Sequence, residues 1–154
     1  MDVLTDTLPD ISVSVFHFDE QISDFVSRKG SLNIKHKYGE AKNEADSIEK
    51  IYIYEDSNGK KWLRSTTTSI GNNSDVLVEV SLDGKDAHVK EKNSHTADDP
   101  TNHEYVVKNN GESVNFDGKL LDGAKKEKAV LAVRTDVSDM MQRIIAERRL
   151  NQIN

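Results

Sequence analysis

The chain lacks cysteine altogether, and it lacks any long apolar run. Without cysteine, disulfide bonds, thiolate catalysis and cysteine-based zinc sites are excluded. No segment approaches the ~20 consecutive apolar residues that a membrane-spanning helix needs. The N-terminal segment Met1–Asp10 is acidic and has no basic-then-apolar pattern of a signal peptide. We therefore expect a protein that is made and used in the cytoplasm, with no membrane contact.

Residue patterns typical of catalytic and metal sites are also missing. The eight glycines stand singly at turns, so no glycine-rich loop is present to cradle a phosphate. Neither a G-x-S-x-G nor an H-E-x-x-H motif occurs. His95 and His103 flank Asp98 and Asp99, but this spacing is not diagnostic of metal ligands, and polar loops commonly collect these residues. We expect no enzyme, no metal ion and no cofactor.

The composition describes one domain with a small core. Hydrophobic residues make up 35% and charged residues 31% of the 154 residues, a length typical of a single domain over residues 1–154. With so lean a core, a second chain would supply further apolar cover. The net charge of -6 argues against a generic nucleic-acid binder, which usually carries positive charge. The net charge is a sum over the whole chain, however, and the two faces of a sheet can carry charge of opposite sign.

Alternation of apolar and polar residues predicts an antiparallel sheet of about six strands. Asn58-Gly59 predicts a tight hairpin, because this pair tolerates the positive φ that such turns require. Asp19–Lys29 has apolar residues at helical spacing and precedes Gly30, which predicts a short helix. Segments with strand character lie at residues 11–18, 31–37, 51–54, 61–70, 76–82, 87–90, 105–107, 113–116 and 128–134.

The C-terminal segment changes from a strand pattern to a helix pattern. Lys128–Arg134 is predicted to be a strand buried on both faces. Thr135 or Asp136 would then cap an amphipathic helix, so the fold class is α+β. The apolar stripe of this helix packs either on the sheet of its own chain or across the two-fold axis of a dimer. The residues of the stripe are Val137, Met140, Met141, Ile144, Ile145 and Leu150.

Basic and hydroxyl side chains along the predicted strands suggest a surface for RNA. Such side chains are the donors that contact phosphate, and tyrosine rings offer stacking surfaces to unpaired bases. The alternative is an ordinary solvated sheet face, on which lysine and threonine are common. The candidate RNA-binding residues are Lys35, Lys37, Tyr52, Tyr54, Lys60, Arg64, Thr66 and Thr68.

Two segments give the chain a resemblance to a known family. Ala129–Asp139 with the Met140–Arg149 helix, and Ser31–Lys37 (SLNIKHK), resemble the last strand, the helix and a basic strand of the coat proteins of single-stranded RNA bacteriophages. The resemblance implies a homodimer that assembles into an icosahedral shell, in a virion or in the host cytoplasm, with the sheet facing RNA. The positions that it carries over to RNA contact are Lys35, Lys37, Arg64, Thr66 and Thr68.

Two classes of function therefore stay open, with a small enzyme ranked last. The first is a structural, self-assembling coat protein that packages RNA. The second is a small acidic binding module, such as an inhibitor or immunity protein, that acts on a basic partner by electrostatic complementarity. The size of the particle in solution and its nucleic-acid content separate the two.

Overall fold

The computed structural model of the chain describes residues 20–37, 46–69, 74–93 and 101–153. The strand predicted at residues 11–18 lies outside these ranges, as does Asp19, whereas the short helix predicted up to Lys29 is confirmed at Glu20–Lys29. The elements in chain order are α1 (Glu20–Lys29), β1 (Ser31–Lys37), β2 (Asp46–Glu55), β3 (Lys61–Ser69), β4 (Ser74–Ser81), β5 (Ala87–Asn93), β6 (Thr101–Lys108), a 3₁₀ turn (Asn109–Gly111), β7 (Ser113–Phe116), β8 (Lys119–Leu120) and α2 (Gly123–Ile153).

The described strands form one antiparallel sheet in which each strand pairs with the next one along the chain. The α+β class is confirmed, with eight strands in place of about six. The Asn58-Gly59 turn is also confirmed: Gly59, at φ +82°, donates its N–H to the carbonyl oxygen of Asp56 over 3.0 Å. Asp117 and Gly118 both have positive φ and close the hairpin to β8, which at two residues is too short to show any alternation.

Both described helices pack on the same face of the sheet, called the covered face below. Alternate residues of β1 to β7 point to this face and form the core with one stripe of each helix. Burying one valine, leucine or isoleucine side chain contributes about 1.5–3 kcal/mol. The buried hydrophobic residues are Ile22, Val26, Leu32, Ile51, Leu63, Val78, Val80, Ala87, Val89, Val107, Val114, Ala129, Val130, Val133, Val137, Met140 and Ile144.

The predicted strand at Lys128–Arg134 is wrong, because this segment is part of α2. Its run of alanine, valine and leucine favours a strand by residue type. In the structure, however, Val130 and Val133 are buried and Leu131 between them is 47% exposed, which is the pattern of one helix face. The helix begins at Gly123, well before the predicted cap, and its 31 residues span about 46 Å.

Candidate functional site

The face of the sheet opposite the two helices, called the open face below, holds the predicted RNA-binding residues. Strand register places Tyr52, Arg64, Glu79 and His88 side by side in one row across β2, β3, β4 and β5. Lys60 lies in the turn directly before β3 and contacts the ring of Trp62 on this face. The other predicted residues at open-face positions are Lys35, Lys37, Tyr54, Thr66 and Thr68.

Basic positions outnumber acidic positions on the open face, although the whole chain has a net charge of -6. The basic positions are Lys35, Lys37, Lys50, Arg64, Lys90, Lys92 and Lys108, and the acidic ones are Asp46, Asp75, Glu79 and Glu104. Two of the acidic side chains, Glu79 and Glu104, contact a basic group within the face. Positive charge is therefore concentrated on the side of the sheet that the two described helices do not cover.

A continuous series of polar contacts crosses the open face from β3 to β6. Arg64 Nε donates to Glu79 Oε1 over 2.8 Å, and Glu79 Oε2 lies 3.2 Å from His88 Nδ1. The other ring nitrogen, His88 Nε2, lies 2.6 Å from Glu104 Oε2. The side chain of Glu79 is 7% exposed and that of Glu104 is 46% exposed. His88 thus bridges one buried and one accessible carboxylate.

These contacts shift the protonation equilibria of the row. The hydrogen bond with Glu79, opposed by burial and reinforced by Glu104, raises the pKa of His88 above its ordinary value. Burial by itself would raise the pKa of Glu79, but hydrogen bonds from His88 and Arg64 outweigh burial and hold that pKa below its usual range. The same contacts therefore favour the imidazolium form of His88 and the ionised form of Glu79.

Cations already lie against the aromatic rings of the open face. The Cζ atom of Arg64 is 3.6 Å from the centroid of the Tyr54 ring, and Lys60 Nζ is 5.0 Å from that of Trp62. Both are cation–π contacts, which hold the rings and the cations together. Lys60 is also paired with Asp86. A nucleobase that stacks on Tyr54 has to share the ring with Arg64 or displace it.

A groove of about 380 Å³ opens at one end of the open face, and sequence reasoning missed most of its residues. Ala87 and Val89 are both buried on the covered face, so His88 between them has to point to the open face. The alternation of apolar and polar residues at Ala87, His88 and Val89 is therefore the sequence signal that places His88 on the open face. The charged and aromatic residues that line the groove are Lys60, Trp62, Glu79, Asp86, His88, Glu104 and Lys108.

The covered face contains a second polar cluster, which joins α2 to β2. Glu49 is fully buried and accepts two hydrogen bonds from Arg143, from Nε over 2.5 Å and from Nη2 over 2.8 Å. The hydroxyl of Ser65 also donates to Glu49. The buried hydroxyls of Ser47 and Ser69, which pair in register, have no hydrogen-bond partner among the described residues. The inner surface of β2 and β3 is therefore apolar at one end and polar at the other.

Asp136 of α2 lies beside this cluster at a cavity of about 250 Å³ between the helix and the sheet. Burial raises the pKa of Asp136 to about 6, with Glu91 and Asp139 adding to the shift and Arg143 opposing it. The carboxyl group is therefore ionised at pH 8 and largely protonated at pH 5. Its charge at neutral pH weakens the packing of α2 on the sheet.

The predicted dimer stripe is divided between buried and accessible positions. Val137, Met140 and Ile144 are buried in the core of their own chain, which is the first of the two arrangements considered for the helix. Met141 and Ile145 are partly buried against the same core. The last residue of the stripe, Leu150, is 58% exposed. A dimer contact that leaves the chain intact therefore has only Met141, Ile145 and Leu150 of this set available.

The described ranges also contain serine–lysine spacings and a histidine–aspartate pair. The expectation that the chain has no Ser-x-x-Lys spacing is wrong, because Ser47–Lys50 and Ser57–Lys60 both have it. Ser47 points to the covered face and Lys50 to the open face, so these two do not form a nucleophile–base pair. In the second spacing, Lys60 is paired with Asp86. His103 pairs with Asp117 over 2.9 Å, whereas residues 94–100 lie outside the described part. The described residues include no group of three or more side chains that could hold a metal ion, and no helix among them could span a membrane.

Comparison of the chain with protein-family models, with curated proteins and with solved structures finds no match in any of the three.

Proposed function

We propose that this chain is a structural, self-assembling coat protein that binds RNA without catalysis. The open face lies toward the RNA, and the helices lie on the outer side of the sheet. The observation that carries the proposal is the division of the sheet, with both helices on one face and an excess of basic positions on the other. Lysine, arginine and hydroxyl groups contact phosphates whatever the base sequence. RNA binding is therefore tolerant of sequence and weakens with salt.

Assembly is supported by the layering of the fold and by accessible apolar side chains of α2. The segment that resembles the last strand of phage coat proteins is helical here, so the support that remains is the layering of helices on one face of a sheet. Met141, Ile145 and Leu150 offer apolar surface for a contact between two copies that leaves each chain intact. A dimer that uses Val137 or Met140 requires α2 to pack on the sheet of its partner instead. This exchange is what interlocking coat-protein helices do, and it keeps the open face free for RNA.

The binding test compares charge reversal on the two sides of the sheet. Lys50→Glu with Lys90→Glu changes two exposed lysines on the open face, and Lys125→Glu with Lys128→Glu makes the same change on the exposed side of α2. We expect the open-face variant to lose affinity for a single-stranded RNA and to lower the salt dependence of binding. The helix variant keeps both. Equal losses in the two variants would contradict the placement of RNA on the open face.

The assembly test uses the protein as expressed in bacteria. Size-exclusion chromatography with light scattering gives the particle mass, and absorbance at two wavelengths gives the nucleic-acid content. A large particle that carries RNA supports the coat function. A small particle that is free of RNA and binds none would instead favour the acidic binding module.

A further inference from the structure

We propose that His88 makes RNA binding by the open face depend on pH. The doubly protonated imidazole strengthens binding, and the neutral imidazole weakens it. This inference rests on the proposed function, since it assigns a regulator to the same surface. His88 is not among the RNA-binding residues, and its role is to set the charge of the row that crosses the face.

The geometry requires protons on both ring nitrogens. Nδ1 lies 3.2 Å from an oxygen of Glu79, and Nε2 lies 2.6 Å from an oxygen of Glu104. An ionised carboxylate can only accept, so each of these contacts needs an N–H donor on the ring. A neutral imidazole carries one N–H and would turn a lone pair toward the second carboxylate. The contacts on both sides of the ring are therefore satisfied together only by the imidazolium.

The charged groups around the ring come from every neighbouring element of the face. Glu79 lies on β4 with Arg64 behind it on β3, and Glu104 lies on β6. Lys90 follows on β5 itself, one strand period away, and Lys108 lines the groove from the end of β6. The remaining pair at the groove, Lys60 with Asp86, contributes no net charge. With the imidazolium in place, Glu79 contacts Arg64 and His88, whereas Glu104 contacts His88 and lies opposite Lys90 in the strand register.

Loss of the proton removes one positive charge from the middle of the open face. Glu104 is the more accessible of the two carboxylates, so it turns toward solvent and toward bound RNA. One charge at ~7 Å from a phosphate, in a surface environment, changes affinity by about 3- to 10-fold. The slope of log affinity against log salt should also fall by about 0.7, the value for one ion contact on a single strand.

The protonation of the His88 ring and the affinity for RNA are measured in separate experiments. Nuclear magnetic resonance of histidine-labelled protein follows each imidazole with pH, and the signal missing from His88→Gln identifies His88. We expect a midpoint above the ordinary value of about 6.5. Binding of a fluorescent oligoadenylate is then measured at pH 6.0 and pH 8.5. For the wild-type protein we expect the dissociation constant to rise about 3- to 10-fold between the two.

Three variants test whether the pH dependence of RNA binding comes from His88 or from another titrating group. His88→Gln should bind weakly at both pH values, and His88→Lys, which keeps a permanent cation between the glutamates, should bind tightly at both. His103→Gln removes another carboxylate-paired histidine, one at a covered-face position, and should keep the wild-type pH dependence. Circular dichroism at both pH values confirms that each variant is folded.

The outcomes distinguish this inference from the function on which it rests. A His88 midpoint at or below 6.5, or a pH dependence that survives in His88→Lys, overturns the switch while RNA binding stands. Absence of RNA binding by the wild-type protein at pH 6.0 overturns the proposed function and the switch with it. A raised midpoint together with flat binding in His88→Lys and His88→Gln establishes the switch.

Discussion

The ion pair between Glu49 and Arg143 allows the attachment of α2 to the sheet to be tested quantitatively. Arg143→Met removes the guanidinium that donates two hydrogen bonds to the fully buried Glu49 carboxylate. Breaking a buried ion pair in this way costs about 3–5 kcal/mol. The Arg143 side chain is 31% exposed, so water reaches the pair and the lower end applies, about 3 kcal/mol. For a domain of this size, such a loss lowers Tm by about 6–12 °C.

The measurement is urea unfolding, followed by circular dichroism and by the fluorescence of Trp62, the only tryptophan. Arg149→Met makes the same chemical change at an exposed position of α2 and should alter the free energy of unfolding by no more than about 0.5 kcal/mol.

The double variant Glu49→Gln with Arg143→Met tests whether the two side chains act as a pair. Because both charges of this pair are then absent, it should be destabilised by at least about 1 kcal/mol less than the sum of the two single variants. The reasoning is refuted if Arg143→Met lies within about 1 kcal/mol of the wild-type protein, or if the two losses are additive.

Three further changes test the helix cavity, a turn and the first strand. Asp136→Asn should stabilise the fold by about 1–2 kcal/mol at pH 8. Since the pKa of Asp136 is raised to about 6, the wild-type protein loses stability as pH rises through that value, and urea melts at pH 4 should show little difference from the variant. Gly59→Ala, at φ +82°, should cost about 1 kcal/mol in thermal unfolding, whereas a neutral effect would contradict the turn geometry. Lys35→Glu with Lys37→Glu should weaken RNA packaging with an unchanged circular dichroism spectrum, and unchanged packaging would remove both residues from the proposed interface.

Much of the sheet could be predicted from the sequence because strand period and turn chemistry are local. The alternation at Val78 and Val80 and the Asn58-Gly59 turn each depend on only a few neighbouring residues. The two-residue period of a strand also explains why the sequence predicts Arg64, Thr66 and Thr68 on one face. The limit of local reasoning appears at Lys128–Arg134, where residue type favoured a strand but the spacing of buried valines continued the helix of Met140 and Ile144.

The sequence by itself determined the fold class, the short first helix, the tight hairpins and the residues that share a strand face. Only the tertiary structure decided which face the helices cover, because that depends on how α2 docks against strands distant in the chain. It also decided the two polar clusters. Glu49 and Arg143 are separated by 94 positions in sequence, and His88 meets Glu79 and Glu104 through the register of three strands. Partners of this kind are chosen by the packed fold, since no spacing along the chain specifies them.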